Sequence, residues 1–90
     1  MFFVISYDIK DNKKRNKVCN ILKDYGNRVQ YSVFECELDK KLYDEMIKRI
    51  LPYIDEEDSL RIYYLCKDCK AKIIYYGTNK IINDNDIFIF

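Results

Sequence analysis

The chain has 90 residues with 16 Lys or Arg, 15 Asp or Glu and no His, so its formal net charge at pH 7 is +1. A hydrophobic content of 49%, with only two Gly and one Pro, excludes a disordered or collagen-like chain and indicates one small domain. Without His, neither a Ser-His-Asp nor a Cys-His catalytic site can be built.

The first predicted element is a strand over residues 2–9, which are almost continuously apolar and rich in aromatic and β-branched side chains. This pattern is typical of a strand buried on both faces. Asp8 stands at its carboxyl end, where strands commonly present functional groups. A turn residue or helix cap is an equally good interpretation of Asp8 from position alone.

The next predicted element is a helix over residues 11–25, capped by Asp11 and ended by Gly26. Its predicted core face has the i, i+3, i+4, i+7 spacing and consists of Val18, Ile21, Leu22 and Tyr25. Residues 10–28 contain seven Lys or Arg and two Asp. Cations in the first turn of a helix are disfavoured by its dipole, so this basic stretch indicates an anionic partner.

Residues 28–38 alternate between apolar and polar, which predicts two short strands or one bulged strand. Asp39 then caps a second predicted helix that Pro52 prevents from continuing beyond Leu51. Further strands are predicted over residues 60–65 and 72–76.

This order predicts an α+β ferredoxin-like (βαββαβ) sandwich with both helices on one face of the sheet. Residues 1–77 would form the domain, and residues 78–90 an extension that ends in the apolar strand 87–90. An apolar edge of this kind is exposed in a monomer, so we expect it to pair with a second copy in a twofold homodimer.

Because histidine-based catalytic sites are excluded, the remaining candidate is a site in which carboxylates hold Mg²⁺ or Mn²⁺. These ions suit phosphate substrates. Asp8 is the candidate catalytic and metal-binding residue, and a twofold dimer would supply two copies of it. Glu35 and Glu37 are secondary candidates, interpreted first as a solvated strand face.

Arginine and aromatic side chains are the candidates for nucleic-acid contact. Arg15 and Arg28 could bind phosphates in a bidentate manner, with less directional charge from the neighbouring lysines Lys13, Lys14 and Lys17. A solvated helix face is the alternative. Tyr7, Tyr31 and Phe34 could stack on bases, although core packing is the preferred interpretation of Tyr31 and Phe34.

The four cysteines are predicted to be thiols, because no signal-like segment is present and a cytoplasmic location is expected. No apolar run approaches the ~20 residues of a membrane-spanning helix, so no membrane role is expected. Cys66 and Cys69 form one CxxC pair, too few ligands for structural zinc. We interpret the pair as a helical turn with packed thiols, with dimer-shared metal or a redox role as alternatives.

Several blocks of the chain resemble one family, in the same order and over nearly the whole length up to Gly77. The blocks are residues 7–9 (YDI), 14–17 (KRNK), 28–35 (RVQYSVFE) and 58–63 (DSLRIY). The family is the CRISPR-associated endoribonuclease Cas2, the smaller of the two near-universal CRISPR adaptation proteins.

The resemblance implies a homodimer in CRISPR antiviral defence, whose two Asp8 carboxylates face each other and can hold Mg²⁺. It implies a metal-dependent nuclease on single-stranded RNA or double-stranded DNA. Tyr7, Arg15, Arg28 and Phe34 fall on positions linked to activity or nucleic-acid contact. Lys17 stands where some members have Arg, which keeps the charge but loses bidentate geometry.

The resemblance also implies a scaffold that holds a DNA fragment for the larger CRISPR integrase and contacts it through the C-terminal strand. We expect this scaffold to be the cellular role and the metal nuclease to be the intrinsic chemistry. The alternatives are a purely non-catalytic DNA-binding adaptor and a toxin-like mRNA-cleaving ribonuclease of the same fold.

Overall fold

The structure is a computed structural model that describes residues 1–74 and Tyr76. Its elements are four strands and three α-helices, with a 3₁₀ turn at Leu51–Tyr53 after the second helix. In chain order they are β1 (Phe2–Asp8), α1 (Asn12–Lys23), β2 (Asn27–Gln30), β3 (Val33–Glu37), α2 (Lys40–Ile50), β4 (Ser59–Leu65) and α3 (Lys67–Ala71).

The strands form one antiparallel sheet in the order β2-β3-β1-β4. The central strand β1 places Ile5 opposite Phe34 of β3 and Ile62 of β4. A sheet of this order, connected as βαββαβ, is the ferredoxin-like arrangement, so the predicted α+β fold class is confirmed.

Alternate residues of β1 point to opposite faces of the sheet. Phe3, Ile5 and Tyr7 are buried in the core, which α1 and α2 complete with Val18, Cys19, Ile21, Leu22, Met46 and Ile50. The other face, here called the open face, carries Val4, Ser6 and Asp8 from β1. Val4 and Ser6 are half-buried among the described residues, so the prediction of a strand fully buried on both faces is only partly met.

Both predicted helix caps are present. The Asp11 carboxylate accepts a hydrogen bond from the Lys14 amide at 2.9 Å, and that of Asp39 accepts one from the Leu42 amide at 2.8 Å. Each cap satisfies an amide that the first helical turn leaves without a partner. These local signals explain why the starts of α1 and α2 could be read from the sequence.

Gly26 has a different role from the predicted helix stop, because α1 already ends at Lys23. A Cβ atom at Gly26 would lie 2.3 Å from the Glu35 carbonyl oxygen and 2.5 Å from Cys36 Sγ. The residue is therefore glycine because the chain leaving α1 passes directly against β3.

Residues 28–38 form two strands, β2 and β3, with a register shift between Arg28 and Gln30. The sequence pattern left one bulged strand as the alternative, and the structure combines two strands with an irregularity in the first. The alternating pattern could not distinguish these arrangements because both have the same period.

The strand predicted over residues 72–76 is wrong for the part that the structure describes. Lys72 lies in a turn after α3, and Ile73, Ile74 and Tyr76 belong to no strand. The helical turn predicted at Cys66 and Cys69 is present, although both thiols are exposed and not packed, and beyond it the Ile73 amide donates to the Lys70 carbonyl at 3.2 Å. Strand propensity depends on context and does not by itself form a strand. The predicted extension 78–90 lies outside the described residues.

In the described part of the chain, no helix is both long and apolar enough to cross a membrane.

Candidate nucleic-acid interface

Asp8 ends β1 on the open face, opposite Ser59 of β4. Its side chain is 71% exposed, and its Oδ2 atom lies 3.3 Å from the ammonium nitrogen of Lys10. The carboxylate is therefore accessible to solvent and to a ligand, with one flexible cation beside it.

The backbone around Asp8 is fixed by Asp58 in the loop before β4. The Asp58 carboxylate accepts hydrogen bonds from the amides of Lys10 at 3.0 Å and Asp55 at 2.9 Å. These two bonds hold the pKa of Asp58 below its ordinary value, the larger effect coming from the Lys10 amide. Asp58 thus ties the segment after β1 to the segment before β4, although neither bond uses the Asp8 side chain.

The donor set at Asp8 is small. Within residues 1–74 and 76, no group of three or more Asp, Glu, Cys or His side chains is placed to hold a metal ion. Carboxylate oxygens suit Mg²⁺ and Mn²⁺, but such ions usually share more than one protein carboxylate with their substrate phosphates. The described residues of one copy therefore fit a divalent cation only if a second carboxylate comes from elsewhere.

A separate cleft of about 340 Å³ lies on the helix side of the sheet. Eight residues line it: Tyr7, Arg15, Asn16, Cys19, Asn20, Lys23, Arg28 and Tyr31. Three of them are cationic and none is acidic, so the lining attracts anions. The cleft brings together Tyr7, Arg15 and Arg28, which the sequence had suggested separately, but it does not include Asp8.

The two arginines of the cleft already hold the protein backbone. Arg15 donates from Nη1 to the Ile9 carbonyl at 2.8 Å and from Nη2 to the Asn12 side chain. Arg28 donates from Nε and Nη2 to the Tyr31 carbonyl at 3.0 and 2.6 Å. An arginine has five N–H donors, so each retains donors for an anion while its position is fixed.

Tyr31 is 70% exposed at the turn between β2 and β3, and the Arg28 guanidinium carbon lies 5.0 Å from its ring centroid. The preferred interpretation of Tyr31 as a core residue is therefore wrong. The exposed ring lines the cleft, where an unpaired base could stack on it.

Tyr7 and Phe34 are core residues. Phe34 is fully buried, and its ring centroid lies 6.4 Å from that of Tyr7, which is 4% exposed. Phe34 therefore has no ring face for a nucleotide, whereas Tyr7 reaches the floor of the cleft. Burial, assisted by a hydrogen bond with Cys19, raises the pKa of the Tyr7 phenol far above its ordinary value. Tyr7 thus stays protonated at neutral pH.

Other cations of the basic stretch also have partners within the chain. The Lys14 ammonium lies 2.8 Å from Asp55, which raises the pKa of that lysine. The Lys17 ammonium lies 5.9 Å from the Tyr53 ring centroid. The local excess of positive charge seen in the sequence is therefore partly neutralised by the loop before β4.

Of the two glutamates of β3, Glu35 differs from the predicted solvated face and Glu37 agrees with it. Glu35 is only 8% exposed. Glu37 is exposed but lies 2.6 Å from the Lys70 ammonium and 3.0 Å from the Met1 amino group. The hydrogen bond from Lys70, followed by that from Met1, lowers the pKa of Glu37. Its structural role is to join β3 to α3 and to the start of β1.

Sequence reasoning missed three polar residues of the cleft, Asn16, Asn20 and Lys23. Arg15, Cys19 and Lys23 recur every four residues along α1, and Asn16 and Asn20 lie next to them on the same side of the helix. A helical projection of α1 contains this stripe. Only the fold shows that Arg28 and Tyr31 lie across the cleft from this stripe of α1.

Comparisons with known proteins agree on one family. The family model for "CRISPR associated protein Cas2" matches residues 1–73. A CRISPR-associated endoribonuclease Cas2 of Synechocystis sp. is 46% identical over 76 residues, which cover 83% of each chain.

Solved structures show the same likeness. The crystal structure of Streptococcus pyogenes Cas2 superposes with a TM-score of 0.75 at 32% identity, over 86% of this chain and 100% of that one. A chain of a partial Cas6-RT-Cas1–Cas2 complex superposes with a TM-score of 0.66 at 30% identity, over 91% of this chain and 97% of that one.

Proposed function

The chain belongs to the CRISPR-associated Cas2 family, and on this premise we propose that it is a CRISPR adaptation protein with metal-dependent endonuclease activity centred on Asp8. In this proposal a homodimer binds nucleic acid and scaffolds the larger CRISPR integrase. The observation that carries the catalytic part is the exposed Asp8 carboxylate at the end of the central strand.

The open face supports a homodimer. Asp8, Val4 and Tyr63 all lie on it, because Val4 is paired with Tyr63 across β1 and β4. Tyr63 is 49% exposed there. A second copy packed by a twofold axis on this face would bury the apolar residues and bring a second Asp8 towards the first.

Two copies of Asp8 would meet the need for a second carboxylate. When bound, Mg²⁺ or Mn²⁺ would lower the pKa of a coordinated water and neutralise charge on a phosphodiester. Asp8 would contribute a hard oxygen ligand, and Lys10 would move from its 3.3 Å contact with Asp8 to a nearby phosphate oxygen. The Asp58 hydrogen bond to the Lys10 amide would keep this backbone in place throughout.

The cleft supports backbone binding. Arg15, Lys23 and Arg28 would contact phosphates, and Tyr31 would stack on an unpaired base. Phosphate contacts carry no sequence information, so the binding would be largely sequence-independent. Because the cleft and the open face are on opposite sides of the sheet, binding and cleavage would use separate surfaces.

Scaffolding is the proposed cellular role. It is supported by the likeness to a chain in a complex whose name includes Cas1 and Cas2. A non-catalytic DNA-binding adaptor is the second candidate, favoured by the observation that one chain supplies too few metal ligands among its described residues. A toxin-like ribonuclease of the same fold would cleave mRNA without an integrase.

The test compares the wild type with Asp8→Asn, both shown to be dimeric, on labelled single-stranded RNA and duplex DNA. Each is incubated with Mg²⁺, Mn²⁺ or a chelator. We expect cleavage by the wild type only with metal, and a loss of at least ~100-fold in Asp8→Asn, because the amide is a poor ligand for a hard cation.

Glu57→Gln is the matched control, since Glu57 is an exposed acid in the loop before β4 and its loss changes the net charge equally. Cleavage that survives in Asp8→Asn would overturn the assignment of Asp8. Salt-sensitive duplex binding without cleavage by either protein would leave the adaptor as the function.

A further inference from the structure

The exposed pair Cys66 and Cys69 is not used by the proposed function. Both thiols are at the surface, and Cys66 caps the start of α3, where its Sγ atom accepts a hydrogen bond from the Cys69 amide at 3.5 Å. The fold therefore places two accessible thiols within one helical turn.

The two thiols differ in acidity. Hydrogen bonds from the amide and the thiol of Cys69 lower the pKa of Cys66, whereas the hydrogen bond to Cys66 raises the pKa of Cys69. Such a difference in pKa is typical of a thiol–disulfide exchange pair. One thiol attacks the incoming disulfide, and the other then displaces the bound group from the mixed disulfide.

The other two cysteines provide an internal contrast. Cys19 and Cys36 are buried in the core. Burial raises the pKa of Cys36 to about 11, with a further contribution from the charge of Glu35. Buried thiols of this kind react slowly, so oxidation should select the surface pair.

We propose that Cys66 and Cys69 are a redox-active site that forms a reversible intramolecular disulfide by exchange with small-molecule disulfides such as oxidised glutathione. The Cys66 thiolate attacks one sulfur of oxidised glutathione, forming a mixed disulfide and releasing one glutathione thiolate. The Cys69 thiolate then attacks Cys66 Sγ and releases the second glutathione. Two protein thiols are oxidised, one glutathione disulfide is reduced to two thiols, and the protons pass from the cysteines to the glutathione thiolates.

The helical turn can stay in place during this reaction. It is held by backbone bonds from the Lys70 amide to the Cys66 carbonyl at 2.9 Å and from the Lys72 amide to the Cys69 carbonyl at 3.1 Å. Lys70 also anchors α3 to Glu37 at 2.6 Å. A disulfide here would lock the turn that follows β4 and leads into the C-terminal segment.

The test incubates the full chain with oxidised glutathione, alkylates the remaining thiols after denaturation and maps them by mass spectrometry. Of the four cysteines, we expect Cys66 and Cys69 to escape alkylation, because they are joined by a disulfide that mass spectrometry detects in the peptide. Dithiothreitol should restore both, and the circular dichroism spectrum should not change.

Single variants separate the two roles. Cys66→Ser and Cys69→Ser should each stop at a mixed disulfide with glutathione, and the variant that retains Cys66 should form it several-fold faster. The proposal is overturned if the wild type keeps four free thiols, accumulates a stable mixed disulfide, or links through Cys19, Cys36 or a second chain. Equal rates for the two variants would overturn the assignment of Cys66 as the attacking thiol.

Discussion

At the scale of single residues, position in the chain was a poor guide to role where the environment is made by distant segments. Gly26 follows α1 as a helix stop would, yet its lack of a side chain is required by the backbone of β3. Arg28 resembles a phosphate ligand, yet two of its N–H groups fix the turn at Tyr31. In both cases the partner is a backbone atom, which the sequence does not reveal.

Gly26→Ala should lower the free energy of unfolding by about 1–3 kcal/mol, because overpacking displaces neighbouring atoms. Urea unfolding measures this change. The double variant with Cys36→Ala removes the Sγ contact but keeps the Glu35 carbonyl 2.3 Å from the new Cβ, so it should not recover stability. If Gly26→Ala had the same urea midpoint as the wild type, the chain at residue 26 would be able to move away from β3.

At the scale of elements, Glu37 connects three parts of the fold. From β3 it reaches the Met1 amino group before β1 and Lys70 in α3. Lys70 also lies 4.9 Å from the ring centroid of Phe2. These contacts place α3 beside the start of β1, although α3 has only five residues.

The Glu37 contacts should make stability depend on acid pH. Because the folded-state pKa is lowered, the contribution is present above the unfolded glutamate pKa of about 4.3 and is lost as pH falls through the lower folded value. Glu37→Gln should therefore melt at a lower temperature than the wild type at pH 7, and the two should converge at acid pH. The difference should stay below about 1 kcal/mol, since exposed pairs are screened by solvent.

Melting curves of Glu37→Gln and of Glu57→Gln, each measured from pH 7 downwards, test this expectation. The Glu57 variant should follow the wild type throughout. A constant difference between Glu37→Gln and the wild type across the acid range would contradict the linkage.

At the scale of the whole molecule, the sheet divides the protein into two surfaces. The helix side holds the core and the cationic cleft, whereas the open face holds Asp8 and the half-exposed Tyr63. The proposed dimer uses the open face, which leaves the cleft of each copy accessible to nucleic acid.

Two neighbouring tyrosines test this division. Tyr63 points to the open face, and Tyr64 points to the helix side, where its ring centroid lies 5.5 Å from that of Phe3. Tyr63→Glu should raise the dimer dissociation constant at least tenfold, about 1.4 kcal/mol, because an unpaired charge would be buried at the interface. Tyr64→Glu should leave it unchanged by analytical ultracentrifugation. Equal weakening by both variants would argue against the open face as the interface.

The sequence determined the features that depend on neighbours along the chain. The caps Asp11 and Asp39, the buried stripe of Val18, Ile21 and Leu22, and the position of Asp8 at the end of β1 all follow from local periodicity and capping chemistry. The resemblance of residues 28–35 to the Cas2 family is local in the same sense, and the family match confirmed it.

The tertiary structure decided what depends on contacts between distant segments. It buried Phe34, exposed Tyr31, placed Arg15 and Arg28 around one cleft, and left the described part of residues 72–76 outside any strand. These outcomes depend on which backbone atoms and sheet edges meet in space. Contacts of this kind, such as Gly26 with Glu35 or Lys70 with Glu37, join residues that are far apart in the chain. Local sequence patterns therefore do not show them.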